Sequence, residues 1–481
     1  MNPPTEPAMW TRRRTLRQTS VGFGSLALSA LLQEETQAKR TDTEAARLTD
    51  SGDQPAERQP HFPARARRII FLFMHGAPSH VDTFDYKPLL IRDHGKPLPF
   101  AKPRITFAPT SKLLRPLWEF RRYGESGQWI SDLFPHLGQL ADEMCFIKSL
   151  NSDNVVHGNA SLQLHTGSDV FVRPSMGAWI TYGLGTENKN LPGFITISPT
   201  YMQGGTTNFG AAFLPPAHQG TPIGSDQVPV KNSSIRYLQN RFLPRAVQRA
   251  QLDFVREMNQ TRLNSLGADS QLEARIQSFE LAFRMQTEAG SLIDISGESE
   301  TTHELYGIND PVTADFGQQC LLARRFCEKG VRFVQCSHSY KWDQHSNLRD
   351  GHQRNALEID KPIAGLLTDL KSRGLLEDTL VLWGAEFGRT PTGQGGTDGR
   401  DHNPWGYTMW MAGGGVKGGT SYGDTDDYGF YAVRNKVHIH DLHATLLHLL
   451  GLDHEKLTYR HAGRDFRLTD VYGQVVTDIM G

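Results

Sequence analysis

The chain has 481 residues, with 51 Lys plus Arg against 52 Asp plus Glu and a formal net charge of -1. That balance gives no electrostatic reason to bind nucleic acid or an anionic membrane, and leaves a small or local ligand as the expected partner. The length allows one large α/β domain or two to three of ordinary size; four cysteines (Cys145, Cys320, Cys327, Cys336) are too few in so long a chain for a disulfide scaffold, form no CxxC pair suited to zinc or redox work, and read as buried apolar thiols.

The N-terminus reads WTRRRTLR over Trp10–Arg17, then an uncharged run from Val21 to Leu32, then acidic and polar residues. That order is expected of a signal peptide. Arg12 and Arg13, with Leu16 and Arg17 behind them, resemble a twin-arginine export signal, although Thr15 stands where an aromatic residue is usual. The run of twelve residues is far short of the roughly 20 that cross a bilayer, so export to the periplasm or beyond is expected rather than a stable membrane span. Residues 1–40 are assigned to the signal. Residues 41–66, rich in Arg, Glu, Asp, Pro and Ala without apolar periodicity, are assigned to a disordered tether, and 67–481 to the folded domain.

The domain opens with RRIIFLFMHGAPSH from Arg67, a continuous apolar run ending in a Gly/Pro turn, the pattern of a strand buried on both faces of a parallel sheet. GVRFVQCSH (Gly330 to His338) and TLVLWGAEFG (Thr379 to Gly388) have the same texture. Between them IDKPIAGLLTDLKSRG has apolar residues at helical spacing and Gly374 as its stop, so the block predicts a parallel βαβ unit with a site at the carboxyl ends of its strands. From Ser233 to about Ile293 the chain is charged and amphipathic, which predicts a helical insertion that shapes access rather than chemistry. The glycines near Gly204 and at Gly413 to Gly415 lack phosphate-loop spacing and read as turns.

Metal-competent side chains stand in five places where a strand or turn ends. The first is HGAPSHVDTFD, with His75, His80, Asp82 and Asp85; either aspartate can equally cap a helix or turn. The second is NSDNVVHGNASLQLHTG, where His157 opens a helix whose N-terminus suits an anion, while His165 reads as a packed or capping histidine. The third is SYKWDQHSN, in which Asp343 and His345, two apart, can hold one ion together and Trp342 reads as packing. In WGAEFGRTP, Glu386 ends an apolar strand and Arg389 offers a fork for an anion, unless the two form a structural ion pair. The last is GRDHNPWG, with Arg400, Asp401 and His402. Imidazole and carboxylate without thiolate favour a divalent metal, zinc first, with manganese, iron or calcium as alternatives.

HGAPSHVDTFDYKP, HGNASLQLHTG, WDQHSN, GAEFGRTP and GRDHNPWG together resemble the planctomycete-type bacterial domain-of-unknown-function family 1501, of the alkaline-phosphatase-like superfamily that also holds the sulfatases. The resemblance spans about Arg67 to Gly473 and includes HDLHATLLHLLGL (His440 to Leu452), which is similar to a late sulfatase helix. It implies an α/β fold with a mostly parallel central sheet flanked by helices, and one or two metals. His75, Asp343, His345, Glu386 and His402 fall at metal-binding positions; Phe387 falls where phosphatases carry a further ligand. Counting back nine from Thr166 reaches His157, where the superfamily has its Ser, Thr or modified Cys nucleophile. Two functions are therefore expected. One is a metal-dependent hydrolase of sulfate or phosphate esters on a small molecule or glycan, with His157 as nucleophile or ligand, His75, Asp82, Asp343, His345, Glu386 and His402 as metal ligands, and Arg389 or Arg400 steadying the anion. The other is an envelope protein that binds a metal or ligand without catalysis.

Overall fold

The computed structural model describes residues 57–101, 110–233, 243–266, 270–394 and 398–481. The signal and most of the tether expected from sequence lie outside them. The chain falls into two compact units, Met1–Ser51 with Gln239–Asp253, and Gly52–Leu238 with Phe254–Gly481. Of the first unit the described residues are 243–253, which are helical from Arg245.

The second unit is built on strands β1 (Arg68–Met74), β2 (Thr110–Leu113), β3 (Met144–Asn151), β4 (Phe194–Ile197), β5 (Thr221–Ile223), β6 (Phe333–His338), β7 (Thr379–Gly384), β8 (Gly388–Gln394), β9 (Arg400–Asn403), β10 (Tyr407–Ala412), β11 (Thr420–Tyr422) and β12 (Val437–His438). The central sheet runs β11-β3-β10-β7-β1-β6-β4-β5, with β12 also paired to β3. Every neighbour pair is parallel except the two that β10 makes, with β3 and β7. The expected mostly parallel α/β architecture is therefore present. β1, β6 and β7 are buried at every position, as unbroken apolar strands under cover on both faces should be.

The helices that carry or brace the site are α1 (His157–Thr166), α2 (Met176–Leu184), α3 (Ala314–Glu328), α4 (Leu348–Ser372) and α5 (Ile439–Leu449). The predicted strand-helix-strand block is β6-α4-β7, but its strands are not neighbours: β1 pairs with both and lies between them. This puts the loops after β1, β6 and β7 side by side at one edge of the sheet, where parallel α/β proteins place their sites. Helix α4 begins eleven positions before the expected Ile359. Its first turns bury polar His352 and Asn355 between Leu348 and Ala356, so the apolar stripe is interrupted there. Gly374 follows its end in the left-handed region (φ 69°), as its place in the sequence predicted.

The insertion is helical over Arg245–Leu266 and Ser270–Ile293, and the second helix buries Leu281, Met285, Ala289 and Leu292 in a stripe at helical spacing. The glycines at 204 and 413 to 415 all have positive φ, consistent with turns. All four cysteines are free and buried.

The expected tether ends earlier than 66. Residues 58–66 lie along the domain: the amides of Arg58, His61, Arg65 and Ala66 donate to the carbonyls of Leu184, Gly451, Leu449 and Leu449. These acceptors stand at the ends of α2 and α5, where carbonyls lack intrahelical partners, so a polar segment without an apolar pattern still finds ordered backbone bonds.

Candidate metal centre

The loop after β1 is a tight HGAP turn. Gly76 has φ 102°, and a Cβ there would sit 2.8 Å from the Asp343 backbone nitrogen, so only glycine lets the loops after β1 and β6 meet. Ala77 is also left-handed, at φ 70°. Arg389, wholly buried on β8, closes this junction: Nε donates to the Ala77 carbonyl (3.0 Å), Nη2 to the Gly76 and Trp342 carbonyls, and Nη2 to Asp343 Oδ1 at 2.7 Å.

Asp343 Oδ1 is the point on which the site converges. His345 Nε2 lies 3.0 Å from it, His157 Nε2 3.1 Å and His402 Nε2 3.3 Å. The ligand atoms of these four residues all fall within 4.8 Å of one another, the only such group among the described residues. Each imidazole is anchored through its other nitrogen. His157 Nδ1–H donates to Glu386 Oε1 (2.6 Å), His402 Nδ1–H to the Val155 carbonyl (2.6 Å) and His345 Nδ1–H to the Gln394 side-chain oxygen (2.5 Å). Because the Glu386 carboxylate and the Val155 carbonyl only accept, neutral His157 and His402 must each turn an Nε2 lone pair toward a carboxylate oxygen that also carries only lone pairs.

One proton relieves one of these contacts. Burial works against the charged form of His157, yet Asp343 and Glu386 outweigh it and raise its pKa. His402 is pushed the other way, to about 4, by burial, which outweighs the pull of Asp343. At neutral pH its Nε2 therefore stays a lone pair facing Asp343. Burial would also raise the Asp343 carboxyl, but its three histidines and Arg389 hold it far below the usual carboxylate range. Three imidazole nitrogens and one ionised carboxylate, each oriented from behind, form the donor set of a divalent transition metal, and the residues present fit one.

The remaining sequence candidates are distributed differently. Glu386, fully buried, stands behind the donors: Oε1 accepts from His157 and from the Gly76 amide (2.9 Å), and its pKa falls to about 2 as His75 and His157 overcome the effect of burial. It orients His157 instead of joining the group. His75 is outside the group as well; its Nε2 lies 4.0 Å from Glu386 Oε1 and its ring packs against Phe73 and Tyr340. Burial lowers its pKa.

Asp82 and Arg400 are not at the centre. They pair with each other in the core, Arg400 Nε to Asp82 Oδ2 at 2.7 Å, both fully buried. Arg400 also donates to the carbonyls of Thr390, Leu114 and Arg115. Arg389, rather than pairing with Glu386 or facing an anion, is spent on Asp343 and on carbonyls. A guanidinium satisfies buried carbonyl oxygens in just this way, and nothing in the local sequence separates that use from anion binding. His80 binds the Gly429 carbonyl (2.8 Å) and Asp85 pairs with Lys87 (3.1 Å). His165 is fully buried and its Nδ1–H donates to the Ser161 carbonyl within α1, a packed histidine as read.

Two contributors were missed. Tyr340 donates its hydroxyl to Asp343 Oδ2 (2.7 Å) and its ring lies 5.1 Å from that of His157. Gln394 fixes the tautomer of His345. Tyr340 stands three residues before Asp343, so reading the loop from the strand end would have found it; Gln394, 49 positions away beyond α4 and β7, left no signal.

Fold and centre define an α/β protein with a candidate His/Asp metal site at the edge of a mostly parallel sheet. The chain belongs to the family described as "Protein of unknown function (DUF1501)", which matches residues 66–480. No curated protein matches it. Among solved structures it is similar to the PsFucS1 sulfatase from Pseudoalteromonas sp., at 13% identity and a TM-score of 0.35 over 81% of this chain and 69% of that one. It is also similar to the lipoteichoic acid synthase LtaP from Listeria monocytogenes (10%, 0.35, 86% and 78%) and to the alkaline phosphatase of the Antarctic bacterium TAB5 (11%, 0.31, 80% and 98%). Among the described residues no helix is long and apolar enough to cross a membrane.

Proposed function

We propose that His157, Asp343, His345 and His402 hold one divalent transition metal, zinc in the first instance, and that the protein is an exported metal-dependent hydrolase of sulfate or phosphate esters on small molecules or glycans. The observation that carries the metal is the set of Nε2 atoms, each with its Nδ1 engaged, gathered 3.0 to 3.3 Å from one carboxylate oxygen. The ester chemistry rests on the motif resemblance, and export on the twin-arginine pattern.

When bound, such a metal supplies a Lewis acid for the ester oxygen and lowers the pKa of water. The protein's part is positional. Glu386 holds His157 by Nδ1 and leaves its Nε2 facing the other donors, which supports the ligand role in this reading. Arg389 holds Asp343, and Tyr340 offers a hydroxyl beside the donors.

Purified protein is expected to carry about one equivalent of transition metal, and the metal-loaded form to turn over members of an ester panel. His157→Ala should lower occupancy and abolish turnover together; wild-type protein without stoichiometric metal would sink the reading. Metal uptake should also release a proton, because Asp343 and Glu386 strengthen the hold of His157 on a proton that the metal must displace. Calorimetry in buffers of differing ionisation enthalpy reads that release, and a buffer-independent enthalpy counts against it.

A second reading, a metal-binding protein without ester hydrolysis, is favoured by one observation: Arg389 and Arg400, the expected anion anchors, are both committed to internal partners. Metal uptake with no turnover on the same panel would select it.

A further inference from the structure

Behind Asp343 runs a chain of side chains that ends at the protein surface. Trp342, fully buried, donates its indole N–H to His338 Nδ1 at 2.9 Å. An indole N–H can only donate, so Nδ1 must be the unprotonated nitrogen and neutral His338 carries its proton on Nε2. That nitrogen lies 2.8 Å from Glu358 Oε2 on α4, and Lys341 reaches the same oxygen at 2.5 Å. The chain is thus polarised in one direction, indole to imidazole to carboxylate.

Trp342 is also the residue on which the site's backbone leans. Its amide meets the His75 carbonyl (3.4 Å), its carbonyl accepts from Arg389 (3.3 Å), and its ring stands edge-on to His352 of α4 at 5.0 Å. His352 in turn accepts the Ser79 amide (2.9 Å) in the loop after β1. Trp342 is thus tied at its amide, its carbonyl and its ring, one residue before Asp343.

We infer that the Glu358–His338–Trp342 chain is a positioning relay that sets where Asp343 presents its carboxylate to the metal. The inference rests on the metal reading above and adds to it residues outside the donor set. It makes Trp342 more than packing, and it gives Glu358 of α4 control over a ligand five residues beyond His338.

Zinc affinity of the full chain, measured by competition with a chromophoric chelator, and the visible spectrum of the cobalt-substituted protein test it. Trp342→Phe keeps an aromatic ring and removes the donor; it should weaken zinc by about 10- to 100-fold, the range seen when an outer partner of a metal ligand is lost. Glu358→Ala should weaken zinc similarly, shift the cobalt spectrum and speed hydrogen exchange at the Trp342 indole. Glu358→Gln, whose amide oxygen still accepts from His338, should restore all three. Because Glu358 lies at a partly exposed helix position, this pair decides the matter even where Trp342→Phe fails to fold. A Glu358→Ala protein with wild-type affinity and spectrum, or Gln no better than Ala, overturns the relay. A wild type that binds no zinc overturns the metal reading itself.

Discussion

Asp343→Asn should empty the candidate centre while leaving the fold in place. The amide keeps an oxygen for Arg389 to donate to, but the negative charge that balances three imidazoles and a bound dication is gone. Loss of affinity should exceed about 100-fold, the upper end of what removing an outer partner alone costs. Zinc at 100-fold over its Kd should then stabilise wild type by about 2.7 kcal/mol and leave the variant's melting temperature unchanged. Metal content by elemental analysis and paired melts with and without zinc measure both. An Asn variant that still takes up stoichiometric metal would place the donor set elsewhere.

The second large effect lies in the core. Asp82→Ala strands the Arg400 guanidinium, wholly buried, without its counter-charge, and breaking a buried ion pair from one side costs about 3–5 kcal/mol. Denaturant unfolding should show that loss, while metal stoichiometry of the folded fraction stays at the wild-type value. The pair also fixes an acid limit. Burial alone would raise the Asp82 carboxyl, but Arg400, Ser79 and the Leu117 amide outweigh it and hold it below its ordinary 3.8. A carboxyl with a lowered folded pKa adds stability that is fully present above its unfolded value and disappears as pH falls through the folded one. Wild type should therefore lose stability below about pH 4, and Asp82→Ala should lose less of it over the same window; equal slopes would show that the pair does not govern the acid limit.

Elements came out of the sequence more readily than partners. RIIFLFM, FVQCSH and TLVLWG announce buried strands because unbroken apolar runs have few other uses, and His157 opens its helix as read. Asp343, His345 and His402 meet because the loop after β6 lies against strand β9. Asp82 and Arg400 carried the same local signature and pair with each other, since a short polar motif does not say which charge will face it across 318 positions. Arg389 fails as an anion anchor for a related reason: its acceptors are mostly backbone carbonyls, which every sequence has. The first half of α4 escaped because His352 and Asn355 interrupt its buried stripe, and the stretch from 58 to 66 because backbone bonds hold it.

The span of the centre has a kinetic consequence. Gly76 reaches Glu386 across 310 residues, His157 reaches Glu386 across 229 and Val155 reaches His402 across 247. Contacts so distant along the chain pay their loop entropy before anything rewards them, so they form late and slow the search for the native topology. Only Asp343 and His345 are neighbours along the chain; His157 and His402 must be brought to them from other elements before the group of four is complete. Capture by the full donor set would therefore date the end of folding, and a chain halted short of His402 would contain most of the sheet yet lack one of its four donors.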